Sequence, residues 1–131
     1  MPMLRRTGVV VLTATLVAAG GASAAQAQSS QTSGENKAIA KPMVAKRGWN
    51  KAQFRCLERL WARESGWNHR AGNGSGAYGI PQALPGHKMA SSGRDWRTNP
   101  RTQIAWGLAY IKGRYGSPCR AWAHFQSHHW Y

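Results

Sequence analysis

Carboxylates are scarce in this chain: 4 Asp+Glu stand against 18 Lys+Arg over 131 residues, a formal net charge of +14. Few candidates therefore exist for any step that needs an acid catalyst. Cysteine is rarer still, with 2 residues, and two cysteines without close spacing do not make a zinc site. His124 and His128 are four apart, but no Glu follows the first of them as the zinc-protease helix requires, so no metal is expected. The Gly-rich run from Gly72 to Gly79 lacks the Lys-Ser or Lys-Thr that a phosphate-cradling loop needs. Long apolar runs are missing too. The stretch from Val9 to Ala19 is the one apolar segment, and it is too short to span a bilayer comfortably.

That short segment follows Arg5 and Arg6 and precedes small residues, which is the pattern of a secretory signal. Ala22-Ser23-Ala24 and Ala25-Gln26-Ala27 both fit the cleavage rule, and Ala27 is favoured, giving a signal over residues 1–27. Residues 28–47 are rich in Gln, Ser, Thr, Lys and Ala, without aromatics or an evident apolar period, and are expected to be a flexible linker. Every aromatic residue lies at or beyond Trp49, which places one domain at residues 48–131. A domain of that size has a marginal core by area alone. Export to an oxidising compartment and an even cysteine count predict a Cys56–Cys119 disulfide.

The fold class is predicted to be mainly α. Asn50 and Gln53 form a capping-box pattern with Trp49 and Phe54 as a hydrophobic staple, so a helix should start at Asn50. Phe54, Leu57 and Trp61 recur at helical spacing and Gly66 supplies the stop. A second helix is signalled by Asn99 as cap and Pro100 at its first position, with Ile104, Leu108, Ile111 and Tyr115 along one face. Ser117-Pro118 begins another that carries Cys119, Trp122 and Phe125. Trp49, Trp61 and Trp106 fall at core or staple positions, whereas Trp67, Trp96, Trp130 and Tyr131 fall where a ring either packs or stacks on a sugar.

Glu64 is one of three acidic residues after position 47, and on a helical wheel it falls beside Leu57 on the apolar face. A carboxyl aimed inward at a helix C-terminus is pushed toward its protonated form by burial and by the helix dipole. Glu58 lies to the side of that face, near Lys51, Arg55 and Arg59, and reads as a solvated or ion-paired surface group. Asp95 sits in an unassigned loop.

Glu64-Ser65-Gly66, then Gly76-Ala77-Tyr78-Gly79-Ile80-Pro81-Gln82, then Asn99-Pro100 with Gln103, resemble the soluble lytic transglycosylase family of the lysozyme superfamily over roughly residues 53–125. Resuscitation-promoting factors, of the same superfamily, are a more distant alternative that the chain resembles less. The resemblance implies a lysozyme-like α fold and cleavage of peptidoglycan glycan strands. Glu64 would then be the catalytic acid and base, and Ser65, Asn73, Tyr78, Gly79 and Gln82 would contact substrate. Ile80-Pro81 replaces the family's Leu-Met pair, and Asn73 stands where a Ser is usual. The family's terminal Ala-Tyr-Asn segment is replaced by Ala121-Trp122-Ala123-His124, leaving His124 as the polar substitute for its tyrosine.

Hydrolysis with Asp95 as second carboxylate, and a non-catalytic wall-binding or signalling domain, are the alternatives. Removal of the leader with Arg5 and Arg6 leaves +12, which suits an anionic cell wall but equally a merely soluble basic surface. The chain is expected to be secreted, wall-associated and monomeric. No cofactor, nucleic acid or stable membrane insertion is expected.

Overall fold

The computed structural model describes residues 24–72 and 74–131. Its helices are α1 (Ala24–Lys46), α2 (Lys51–Ser65), α3 (Pro100–Tyr115) and α4 (Pro118–His128), with a 3-10 turn at Gly86–Ser92 ahead of α3. Among the described residues no strand forms. The Gly-rich segment is a tight loop held by isolated antiparallel bridges between Gly72 and Tyr78 and between Tyr78 and Ala83. The signal segment, up to residue 23, lies outside the described residues. Among those described, no helix is long and apolar enough to cross a membrane.

The helix starts follow from their caps. Asn50 Oδ1 accepts from Gln53 N at 3.1 Å, Asn99 Oδ1 from Arg101 N at 3.0 Å, and Ser117 Oγ from Arg120 N at 3.3 Å. Pro occupies the first position of both α3 and α4, where its missing N–H is no loss. The second half of the expected capping box is used differently. Gln53 Oε1 accepts from Cys119 N at 2.9 Å, so it ties the head of α2 to the head of α4.

The disulfide stands beside that bond. Cys56 and Cys119 are joined, with Cα atoms 4.9 Å apart and 63 positions of chain between them. Closing such a loop stabilises the fold by roughly 4 kcal/mol in the chain-entropy account. Reduction of the protein is therefore expected to lower its thermal midpoint markedly. Alkylation of both thiols in the native protein without reductant would show that the bond does not form.

Helices α2, α3 and α4 enclose Leu57, Leu60, Trp61, Ile104, Leu108 and Ile111, all fully buried. Trp61 lies directly on α3 at Gly107, where a Cβ would come within 2.5 Å of the indole. Trp67, for which the sequence left packing and sugar stacking both open, packs. Gly66 at φ 61° and Trp67 at φ 61° turn the chain back on itself, so the Trp67 ring is 0% exposed and its Nε1 donates to Glu58 O at 3.0 Å.

The flexible linker expected at residues 28–47 is also corrected. That stretch belongs to α1, whose Asn36, Ala40, Met43 and Val44 are buried. Asn36 Nδ2 donates to Trp67 O at 2.9 Å and Ser33 Oγ to Gly66 O at 2.7 Å. The physical reason is a helical period written in small and polar residues. Positions 36, 40, 43 and 44 share one face, but Asn and Ala carry little hydropathy, and Pro42 inside the helix argues against a helix from sequence. The turn that ends α2 is thus covered by α1 rather than by solvent.

Candidate active site

Glu64 lies in the last turn of α2, and Gly66 closes the helix one residue after Ser65 with its N–H on Ala62 O. Half-burial at this place lifts the Glu64 carboxyl to about 7 by desolvation of its charged form. A carboxyl in that range holds a proton near neutral pH and gives it up readily, which suits general acid and general base work alike.

The loop that faces the end of α2 is fixed from three sides. Ser65 Oγ donates to Ile80 O at 2.7 Å. Gln103 is fully buried; its Oε1 accepts from Ile80 N at 2.9 Å, and its Nε2 donates to His69 O at 2.9 Å and Trp96 O at 2.7 Å. One amide of α3 therefore ties together the loop after α2, the Gly-rich loop and the approach to α3. Gly79 is what lets it in: a Cβ there would stand 2.5 Å from Gln103 Oε1, and its φ of 79° suits glycine. The close approach expected at Gly79 is thus to a side chain of the protein itself.

Gln82 Nε2 donates to Ala71 O and to Gly79 O, each at 3.0 Å. Its amide nitrogen braces the loop, while the residue also borders a groove of about 160 Å³ together with Leu84, Lys88, Trp106, Tyr110 and Tyr131. Trp106, expected in the core, is half-buried and stacks on Tyr110 with centroids 5.2 Å apart. Leu84 is 55% exposed at the groove edge. Aromatic and aliphatic surface of this kind suits the faces of sugar rings.

Tyr131 is the residue whose part in the site the sequence did not reveal. Its hydroxyl accepts from Trp61 Nε1 at 2.9 Å and donates to Pro81 O at 2.7 Å. Trp61 is three residues before Glu64 on α2, so the phenol bridges that helix to the Gly-rich loop. Burial, with the Glu64 charge next in weight, pushes the phenol well above its ordinary range. The proton therefore stays on the hydroxyl that bonds Pro81.

His124, expected as the stand-in for a tyrosine near Glu64, packs in a different company. It stacks on His128 at 4.1 Å and meets Trp130 edge-on at 4.5 Å and Tyr115 at 5.1 Å. Its pKa is lowered by desolvation and by the neighbouring His128 and Arg114. Asn73 lies outside the described residues. Tyr78 turns to the other side of its loop, where its hydroxyl donates to Arg97 O at 2.7 Å. Asp95 does not stand free in its loop. Thr102 Oγ1 donates to its Oδ1 at 2.6 Å and Asn99 Nδ2 to its Oδ2 at 2.8 Å, and these bonds, Thr102 first, hold its carboxyl below the usual range.

The described residues thus form a small mainly helical domain with a half-buried glutamate at the end of α2, which Ser65 ties to the Gly-rich loop, and with an aromatic groove bordered by that loop. The chain belongs to the Transglycosylase SLT domain family, whose model matches residues 45–127, more than half of the sequence. No curated protein and no solved structure shows significant similarity to it.

Proposed function

We propose that this chain is an exported lytic transglycosylase that cuts the MurNAc-GlcNAc β-1,4 bond of peptidoglycan and leaves 1,6-anhydro-MurNAc ends. The observation that carries this reading is the contrast between Glu64 and Asp95. Glu64 is half-buried and lifted to about 7, whereas Asp95 has both oxygens engaged at the head of α3. Glu58 lies six residues earlier on α2, where its backbone carbonyl accepts from Trp67 Nε1.

A hydrolase normally needs a second carboxylate to serve as nucleophile or to activate water. With one suitable carboxyl, the chemistry that remains uses it twice. Protonated Glu64 donates to the glycosidic oxygen as the bond from it to the MurNAc anomeric carbon breaks, and the GlcNAc hydroxyl leaves. The resulting Glu64 carboxylate takes the proton of the MurNAc 6-hydroxyl, whose oxygen bonds to the same anomeric carbon. Atoms balance without water, and Glu64 ends protonated as it began.

Tyr131 supports both halves by tying α2 at Trp61 to the Gly-rich loop at Pro81. The leader over residues 1–27 would send the enzyme out of the cell, and the basic surface would retain it on an anionic wall. Mass spectrometry of products from purified peptidoglycan tests the reading. Anhydro ends, lighter by one water than reducing ends, are expected. Reducing ends alone would establish hydrolysis, and intact glycan would establish a binding domain.

A further inference from the structure

A second depression borders the Gly-rich loop and shares no lining residue with the groove, and nothing in the proposed chemistry uses it. It encloses about 390 Å³ and is bordered by Gly74, Gly76, Tyr78, His87, Trp96 and Arg97. Tyr78 and Trp96 form an aromatic corner, with ring centroids 5.7 Å apart and planes at 88°. Arg97 is held there by its guanidinium, 4.8 Å from the Trp96 ring centroid, and its carbonyl receives the Tyr78 hydroxyl. None of the residues bordering the depression is acidic.

The depression shares its loop with the groove. Gly86 N donates to Gly76 O at 3.0 Å and Tyr78 N to Ala83 O at 3.0 Å, so Gln82 and Leu84 of the groove are a few residues from Tyr78 and Gly86 of the depression. A polymer lying in the groove reaches this corner by crossing one loop. Aromatic surface suits a sugar ring, and a guanidinium with an imidazole beside it suits a carboxylate.

We propose that this depression is a subsite for an N-acetylated sugar that carries a carboxylate, with the ring against Trp96 and Tyr78 and the carboxylate on Arg97 and His87. It rests on the reading of the chain as a peptidoglycan-cleaving enzyme. In that substrate the carboxylate belongs to the peptide borne by MurNAc. The subsite would set a preference for peptide-bearing over bare glycan, apart from the chemistry at Glu64.

The test uses the full mature chain with Glu64→Gln to prevent turnover, and two probes: a GlcNAc-MurNAc tripeptide with free carboxylates and the same compound with those carboxylates amidated. Binding is followed by NMR, with the Trp96 indole and the Gly74 and Gly76 amides as local reporters. The free acid is expected to shift those signals and to bind about tenfold more tightly than the amide, the worth of one charge-assisted contact near a surface. Arg97→Gln, at an exposed position, should remove that tenfold preference while leaving the spectrum of the core unchanged.

Equal affinity for the two probes would overturn the proposal, as would shifts confined to Gln82, Leu84 and Tyr110. Either result would leave the glycan-cleaving reading standing. Failure of both probes to bind anywhere would sink both. Competition by a glycerol phosphate oligomer as strong as that of the free acid would mark the corner as a general anion patch and overturn the sugar-acid assignment.

Discussion

Glu64→Gln is expected to fold normally and to lose nearly all glycan cleavage, on the order of 10³-fold or more, because an amide keeps the shape of the side chain but neither donates nor accepts the transferred proton. The wild-type profile supplies an independent check. The carboxyl titrates at about 7, so kcat/KM should fall about tenfold for each pH unit above that value, as the proton needed for the first step is lost. Activity retained at a tenth of wild type in the variant would sink the single-carboxylate mechanism.

The same substitution has a stability signature. A carboxyl whose folded pKa is raised contributes its full stability below its unfolded value of 4.5, and that contribution is lost as pH rises through about 7. The folded wild type is therefore penalised at pH 8 for holding a half-buried charge, and Glu64→Gln is not. The variant should exceed wild type in stability by about 1–2 kcal/mol at pH 8, a figure discounted for the partial exposure of the group. The two proteins should converge at pH 4.

Gln103→Leu is expected to cost about 3 kcal/mol or more and to reduce turnover severely while leaving Glu64 in place. Leucine matches the amide in size but leaves Ile80 N–H without its acceptor, and His69 O and Trp96 O without their shared donor. Each buried group left unpaired costs about 1–3 kcal/mol. Gly79→Ala should fail for a related reason, since its Cβ would strike the same amide and its φ of 79° strains any other residue. The two substitutions share one contact, so their costs measured by urea unfolding should be non-additive. An unaltered urea midpoint in Gln103→Leu would show that the loop is held by other means.

The elements most legible in the sequence are those set by local chemistry. Asn50, Asn99-Pro100 and Ser117-Pro118 mark helix starts because their side chains or missing N–H groups meet needs of the same turn. Glu64 was legible as an inward carboxyl because Leu57 and Leu60 on the same helix define which side is buried. Gln103 stood in a recognisable position, but its role did not show, because its partners Ile80 and His69 are 23 and 34 positions away. Tyr131 was invisible as a partner of Trp61 for the same reason, with 70 positions between them. Helix α1 was misread because its buried face uses Asn36 and Ala40, residues that signal burial only when a neighbour such as Trp67 offers a carbonyl.

By itself, then, the sequence determined a mainly helical domain, the starts of its α-helices after residue 48, the pairing of Cys56 with Cys119 and the one carboxyl turned toward the core, because each depends on neighbours within a turn or on counting what the chain possesses. Only the tertiary structure decided that α1 covers the turn after Glu64, that Gln103 packs against Gly79, that Asp95 is tied up at the head of α3, and that Tyr131 links α2 to the Gly-rich loop. These are contacts between distant segments, and which of several chemically equivalent amides, phenols or carboxylates makes them is fixed by where packing brings the backbone, a quantity that no local pattern encodes.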